Sequence, residues 1–247
     1  MNESLLTLDQ LVIGYPERNL SSPLSLEIPT GVGVGIIGAN GSGKSTLVKT
    51  LAGLIPPVSG HYQWNPQTLF GYVPQEDQIS PLFPLTVRDL LKMGRQGSLS
   101  RFKFSSRNFE DAATEVLDEM KIGSLKNSLF RELSRGQRQR VMIARALIGN
   151  PSALLLDEPY STLDDSFRKE LWELFSTWKK KRGFSFVIIE HDLNRVINQV
   201  DWVILLGPKE TLCGPRSTVI TQEALSRAYG AKLHLHEEND EIQIHFL

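Results

Sequence analysis

The stretch Gly38-Ala39-Asn40-Gly41-Ser42-Gly43-Lys44-Ser45 decides the fold of this 247-residue chain, because it has the form G-x-x-x-x-G-K-[ST]. In a loop of this form the glycines let the backbone curl, so that successive N–H groups point at phosphate oxygens. An apolar run at 32–37 precedes the loop, and Leu47, Leu51 and Leu54 follow it at helical spacing. Strand, glycine loop and helix in this order predict a nucleotide-binding loop rather than a chance glycine-rich turn.

Two side chains of this loop carry most of its predicted chemistry. We expect Lys44 to reach the β- and γ-phosphates of bound ATP, where it also supports catalysis. We expect the Ser45 hydroxyl to ligate Mg²⁺. The predicted ATP-binding residues of the segment are Gly38, Ala39, Asn40, Gly41, Ser42, Gly43, Lys44, Ser45 and Thr46.

A pair of carboxylates follows the apolar run at 154–156. Asp157 is the candidate that holds Mg²⁺ through its water shell, and Glu158 is the candidate general base that accepts a proton from the attacking water. Two acids after a strand more often cap a helix. The phosphate-binding loop upstream favours the catalytic interpretation here.

Strand and helix patterns alternate along much of the chain. Apolar runs at 154–156, 186–189 and 202–206 are buried-strand candidates, with a helix predicted over about 166–180. Such alternation is typical of a mainly parallel sheet covered on both faces. The N-terminal stretch is β-rich, whereas about 79–148 is predicted to be helical. Inside that segment we expect a short helix capped by Thr86, a loop at 94–106 and an amphipathic helix at 108–121.

Composition excludes several classes of protein. Lys plus Arg number 27 against 28 Asp plus Glu, so no net field draws the chain to nucleic acid, and we expect no nucleic-acid partner. Cys213 is the only cysteine, which rules out an internal disulfide. No apolar run approaches the roughly 20 residues that span a bilayer, and the N-terminus lacks signal-peptide features. We therefore expect a cytoplasmic protein that reaches a membrane only through a partner.

The stretch Leu133-Ser134-Arg135-Gly136-Gln137 matches the signature LSGGQ at four of five positions, and with the motifs above the chain resembles the ABC (ATP-binding cassette) ATPases over about residues 4–230. The resemblance implies that Ser134, Gly136 and Gln137 contact the γ-phosphate of ATP held by a second subunit. Two cassettes, in a homodimer, are therefore expected. Arg135 replaces a glycine, which puts turnover in doubt if that position needs a glycine-only backbone conformation.

Further residues match the family in the family's order. Gln75 resembles the glutamine that contacts Mg²⁺ and the attacking water, and His191 the histidine that hydrogen-bonds the γ-phosphate. Tyr15 resembles the aromatic residue that stacks on adenine, against the alternative of a buried strand aromatic. The stretch 161–164 resembles the loop that communicates across the dimer.

The resemblance also implies an architecture and partners. It implies a single α/β domain over 1–247: a P-loop NTPase core with a mainly parallel sheet, an N-terminal antiparallel β subdomain, an inserted α-helical subdomain at about 79–148 and a tail at about 231–247. The implied cofactors are ATP and Mg²⁺. The implied partners are an integral membrane permease and, indirectly, a substrate-binding protein. The chain would then be peripheral on the cytoplasmic face of the inner membrane.

The transported substrate is predicted by analogy alone. The stretches 83–89, 93–95 and 225–230 look like the ATPases of Mn/Zn/Fe-type metal importers, whereas 160–164 is closer to those of siderophore and cobalamin importers. A non-transport ABC ATPase and a nucleotide-binding module without turnover stay open as alternatives. His234 and His236 share a face if the tail is a strand. That spacing permits metal contact, although an exposed strand edge is the simpler interpretation.

Overall fold

The computed structural model describes residues 4–75, 84–97, 106–208, 210–238 and 241–247. The chain divides into two compact units, the first formed by 1–67 with 174–247 and the second by 68–173. The strands in chain order are β1 (Ser4–Val12), β2 (Gly14–Tyr15), β3 (Arg18–Asn19), β4 (Leu24–Pro29), β5 (Gly33–Gly38), β6 (Ser59–Trp64), β7 (Phe70–Val73), β8 (Ala153–Asp157), β9 (Ser185–Ile189), β10 (Trp202–Leu206), β11 (Thr211–Pro215), β12 (Leu233–Glu238) and β13 (Glu241–Phe246).

The helices connect these strands. In chain order they are α1 (Lys44–Leu51), α2 (Val87–Gly97), α3 (Ser106–Glu119), α4 (Arg135–Leu147), α5 (Asp165–Arg182), α6 (Leu193–Ile197), α7 (Arg216–Val219) and α8 (Gln222–Tyr229). Among the described residues, none of these helices has both the length and the apolar content that a membrane span requires.

The first unit contains two larger sheets, besides the two-stranded pairs β2–β3 and β12–β13. Strands β4, β1 and β6 pair antiparallel in that order, as predicted for the β-rich N-terminus. In the other sheet β5 lies between β9 and β10, parallel to both, and β11 adds an antiparallel edge to β10. Every residue of β5 and β9 is buried, because helices cover both faces of a parallel sheet. The predicted α/β class with a mainly parallel sheet is confirmed.

The last element of the first unit is a β-hairpin, formed by β12 and β13 after α8. Strands β12 and β13 pair antiparallel, with Leu233, Ile242 and Ile244 on the buried side. Asn194 of α6 and Asn198, the residue that caps its C-terminus, hydrogen-bond the outer edge of β13: Asn194 bonds both backbone groups of Ile244, and Asn198 bonds both of Ile242. Because these amides take the place of a neighbouring strand, α6 and the hairpin are held together.

The second unit contains the predicted helical segment. Strands β7 and β8 are parallel, and α2 and α4 pack against each other. The predicted loop at 94–106 is wrong where it begins, because α2 continues to Gly97; residues 98–105 lie outside the described part. Gly94 explains the difference. A Cβ there would lie 2.3 Å from the Arg145 carbonyl oxygen, so this glycine permits the close approach of α2 and α4 rather than ending a helix.

Two other helix boundaries differ from the pattern. Helix α1 ends at Leu51, and Leu54, expected on its buried face, is 59% exposed because Gly53 adopts a positive φ of 73° and turns the chain. Helix α3 runs from Ser106 to Glu119, two residues earlier at each end than the predicted helix at 108–121. Helix α5 ends at Arg182 and Gly183 follows with φ 63°, as expected for a glycine C-cap.

Candidate functional site

The glycine-rich loop connects β5 to α1 in the first unit. Gly38, Gly41 and Gly43 have φ values of 149°, 78° and 96°, a region that favours glycine. A Cβ on Gly38 would lie 2.4 Å from the Leu206 carbonyl oxygen, so only glycine fits there. A Cβ on Gly41 would meet nothing within 4 Å, which leaves open space against the loop.

Two polar side chains of the loop face its interior. Lys44 is 8% exposed, and its Nζ donates to the Gly38 carbonyl at 2.9 Å and the Ala39 carbonyl at 3.0 Å. The Ser42 hydroxyl is buried and finds no hydrogen-bond partner within the described part of the chain. A buried cation and an unsatisfied donor beside a glycine cradle are suited to phosphate oxygens. Thr46 is buried on α1, and Asn40 lies on the exposed side of the loop.

Tyr15 stands beside this loop on the hairpin of β2 and β3. Its side chain is 52% exposed, so the alternative of a buried strand aromatic is wrong. The residues flanking the hairpin, Ile13 and Leu20, are joined by a 2.8 Å backbone hydrogen bond. Both also lie 3.1–3.2 Å from the Cβ position of Gly43, so the hairpin is packed onto the phosphate-binding loop. An exposed ring at this place is available to stack on a base.

Tyr229 is a contact of the loop that motif reasoning missed. Its hydroxyl accepts the Gly38 N–H at 3.1 Å, and its ring lies edge-on to Phe246 with centroids 5.4 Å apart. Burial raises the pKa of the Tyr229 hydroxyl, while the Gly38 N–H acts in the opposite direction. A tyrosine near the end of a helix carries no local signal of this role, because the contact joins residues 191 positions apart.

His191 lies just after β9, the strand that pairs in parallel with β5, which precedes the glycine-rich loop. Its side chain is exposed, and its backbone N–H donates to the Glu190 carboxylate at 3.1 Å. Asp192 caps the next helix, α6, by accepting the Arg195 N–H at 3.0 Å. The histidine is thus fixed between a strand end and a capped helix.

The second unit places Gln75, Asp157 and Glu158 at the ends of β7 and β8. Gln75 Nε2 donates to Glu158 Oε2 at 2.8 Å. Glu158 has a φ of 53°, an uncommon value for a residue with a side chain, and such strain is concentrated at functional sites. Asp157 is fully buried at the end of β8. Burial, and then the negative charge of Asp157, raise the pKa of Tyr72.

The signature stretch opens α4 in the same unit. Ser134 is the N-cap: its hydroxyl accepts the Gln137 N–H at 3.3 Å, and the Gln137 side chain accepts the Ser134 N–H at 2.9 Å. Arg135 is the first residue of the helix, exposed, and it is not among the described residues with positive φ. The concern that a side chain there breaks a glycine-only conformation is therefore removed. A Cβ on Gly136 would lie 3.1 Å from the Thr162 carbonyl oxygen.

Two arginines hold the loop at 161–164, and sequence reasoning missed both. Arg140 of α4 donates to the Asp164 carboxylate at 2.8 Å, and its guanidinium lies 3.6 Å from the Phe167 ring centroid. Arg168 donates to the carbonyls of Tyr160 and Leu163 at 2.9 and 2.8 Å. Arg140 thereby joins the signature helix to this loop.

The residues expected to hold Mg²⁺ fit such an ion by their donor chemistry. Ser45 supplies a hydroxyl oxygen beside the loop, and Asp157 supplies a fully buried carboxylate at a strand end. Gln75 supplies a side-chain amide oxygen, and its Nε2 donates to Glu158. Oxygen donors of these kinds are the ones Mg²⁺ prefers, usually together with water and phosphate.

A glycine cradle with a buried lysine and a carboxylate pair after a buried strand define a nucleotide-binding ATPase of the P-loop class. The sequence profile of the ABC transporter family matches residues 21–161, more than half of the chain. The chain therefore belongs to the ABC transporter family, as an ATP-binding cassette that binds ATP.

The chain is similar to the ATP-binding proteins of two metal transport systems. The manganese transport system ATP-binding protein of Bacillus subtilis is 33% identical over 232 residues, covering 92% of each chain. The zinc transport system ATP-binding protein of Treponema pallidum is 34% identical over 236 residues, covering 91% of this chain and 86% of the relative. The predicted likeness to ATPases of the Mn/Zn/Fe type is confirmed.

Solved structures have the same fold. An ABC transporter assigned to the metal-chelate type, in an inward-facing conformation, aligns with a TM-score of 0.82 and 27% identity over 99% of this chain and 97% of that one. A dimeric ABC cassette in a post-hydrolysis state with ADP and Pi aligns with a TM-score of 0.73 and 25% identity, over 85% of this chain and 98% of that one.

Proposed function

We propose that this chain is the ATP-hydrolysing subunit of an ABC importer for metal ions of the manganese, zinc and iron class. The observation that carries the ATP-hydrolysing part of the proposal is the hydrogen bond of Gln75 to Glu158, a carboxylate held on a strained backbone at the end of a buried strand. A binder without turnover has no need of an oriented carboxylate. A general base does need one, since it must face the proton that it removes.

Each residue has a proposed part in hydrolysis. Lys44 and the loop N–H groups bind the β- and γ-phosphates, and Tyr15 stacks on adenine. Glu158 takes a proton from the attacking water, which Gln75 and His191 help to position. Mg²⁺, held by Ser45, Gln75 and Asp157, would supply charge neutralisation at the phosphates.

A second copy of the chain is part of the proposal. Ser134, Gly136 and Gln137 form a capped helix start, with N–H groups and a hydroxyl suited to an anion. We assign the γ-phosphate of ATP bound by the partner subunit to this place. ATP then draws two cassettes together, and its hydrolysis lets them separate. A dimeric cassette among the solved relatives supports this.

The coupling partner is proposed to be an integral membrane permease, served in turn by a substrate-binding protein. The helical segment at about 79–148 is our candidate for the part that contacts the permease. The chain would then sit on the cytoplasmic face of the membrane. The names of the manganese and zinc relatives support a metal cargo over a siderophore or cobalamin cargo.

Co-purification from native membranes tests this role. A tagged Glu158→Gln variant, which should bind ATP without hydrolysing it, is captured in the presence of ATP and its partners are identified by mass spectrometry. Lys44→Ala, which should not hold ATP, is the matched control. Recovery of a multi-span permease with the first variant supports transport. Reproducible recovery of soluble partners alone would refute it and favour a non-transport ABC ATPase.

A further inference from the structure

The exposed face of the C-terminal hairpin carries three of the chain's five histidines. The buried face of the same hairpin holds Leu233, Ile242 and Ile244, so side chains alternate between the two faces. His234, His236 and His245 all fall on the exposed face. None of the three is needed to fill the core, and the ATP-binding role uses none of them.

The strand register places two of these histidines directly opposite each other. His234 of β12 pairs with His245 of β13, and His236 pairs with Gln243, which puts His236 diagonal to His245. Directly opposite residues in an antiparallel pair have Cβ atoms about 4.5–5.5 Å apart. Two nitrogens bound to one tetrahedral Zn²⁺ at about 2.0–2.1 Å lie about 3.3 Å from each other. Two opposed imidazoles therefore span the distance that one zinc ion requires.

We propose that His234 and His245 chelate one zinc-class transition-metal ion on the outer face of the hairpin. Neutral imidazole suits Zn²⁺ and its neighbours in the transition series better than it suits Mg²⁺, which selects oxygen donors. Among the described residues, no three His, Cys, Asp or Glu side chains converge into a complete cage. The site is thus a two-imidazole chelate whose remaining positions take water.

The hairpin contacts α6 on one side and, through Tyr229, the start of the glycine-rich loop on the other. On one side, Asn194 and Asn198 fasten β13 to α6, the short helix that begins two residues after His191. On the other side, Phe246 of β13 packs on Tyr229, whose hydroxyl accepts the Gly38 N–H. Zinc on the outer face would stiffen β13 and, through these contacts, α6 and the loop start. The zinc site itself does not depend on the proposed ATPase function. An effect of bound zinc on ATP hydrolysis does rest on that proposed function.

Zinc binding is measured first by equilibrium dialysis of the full chain, made without a histidine tag and free of nucleotide. The wild type should bind one zinc per chain. His234→Gln and His245→Gln should each weaken binding by about tenfold or more, because each removes one of two ligands. His61→Gln is the matched control, an exposed histidine on β6 beside Asp9. Absence of saturable binding, one zinc per two chains, or equal binding by all variants would overturn the site.

Hydrogen exchange then tests the connection without relying on ATP hydrolysis. Zinc should slow exchange of the α6 amides in the wild type and leave them unchanged in His245→Gln. Asn198→Ala keeps both histidines but removes two of the four hydrogen bonds that Asn194 and Asn198 make to β13. That variant should bind zinc normally and show weaker protection of α6 than the wild type. Protection of α6 in Asn198→Ala that equals that of the wild type, or its absence in the wild type, would overturn the connection.

Discussion

The side-chain amide of Gln75 donates to the Glu158 carboxylate across 2.8 Å, which joins the second residue after β7 to the residue after β8. Parallel strands end at the same edge of a sheet, which is why residues 83 positions apart meet there. The contact fixes the direction of a carboxylate whose own backbone is in a rare conformation.

If this contact positions the general base, Gln75 and Glu158 should act as one unit. Gln75→Ala should lower the rate of ATP hydrolysis, and adding it to Glu158→Gln should lower the rate little further. The rates of both single variants and the double variant, under saturating ATP, provide the measurement. Full additivity of the two losses in ln(rate) would show that the residues act independently.

Arg135 places a positive charge at the start of α4, where the family signature has glycine. Because its φ is ordinary and its side chain is exposed, Arg135→Ala should change the free energy of unfolding by less than about 0.5 kcal/mol. It should nevertheless raise the KM for ATP and make hydrolysis less sensitive to salt, since the charge attracts phosphate.

Arg131→Ala is the control for this charge, because Arg131 is exposed three residues before the N-cap. Steady-state hydrolysis at low and high salt compares the two variants. Identical KM values and salt dependences would show that Arg135 has no part in nucleotide binding.

Arg140 should contribute more to stability than an ordinary surface ion pair. Its side chain is 18% exposed and covers the Phe167 ring as well as pairing with Asp164. Arg140→Ala should cost about 1–2 kcal/mol in urea denaturation, because a partly buried cation–π contact is lost with the pair. Lys121→Ala, which breaks an exposed pair with Glu170, should cost about 0–1 kcal/mol. Equal losses would contradict the importance given to Arg140.

Glu110 of α3 should give stability a distinct pH dependence. Hydrogen bonds from Arg88 and then Lys126 lower the pKa of its carboxyl from 4.5 to about 2. Because the folded pKa lies below the unfolded value, Glu110 stabilises the fold above about pH 4.5 and loses this effect as the pH falls toward 2.

Glu110→Gln should therefore be less stable than the wild type at about pH 7, and the difference should shrink at about pH 3. Urea denaturation at the two pH values measures it. Glu115→Gln, exposed on the same helix, should differ little from the wild type at either pH. A difference for Glu110→Gln that stays constant with pH would be inconsistent with the lowered pKa.

Local motifs made much of this molecule predictable from sequence. The phosphate-binding loop depends on glycine geometry and one lysine, and the cap of α4 depends on Ser134 and Gln137, all of which lie close together in the chain. The helix through Gly94 was not predictable, because that glycine accommodates the Arg145 carbonyl from a distant helix. Contacts of Arg140 and Tyr229 arise from long-range packing, for which neither residue carries a local pattern.

The most direct test of the central claim is the rate of phosphate release from ATP by the purified wild type and by Glu158→Gln. A general base contributes about 10²- to 10⁴-fold, so the variant should be slower by at least about 100-fold while its ATP affinity is kept. Measurable hydrolysis by the wild type, together with this loss of rate in Glu158→Gln, would support an ATPase whose general base is Glu158. Equal rates, or no hydrolysis by the wild type alone or reconstituted with its permease, would contradict it.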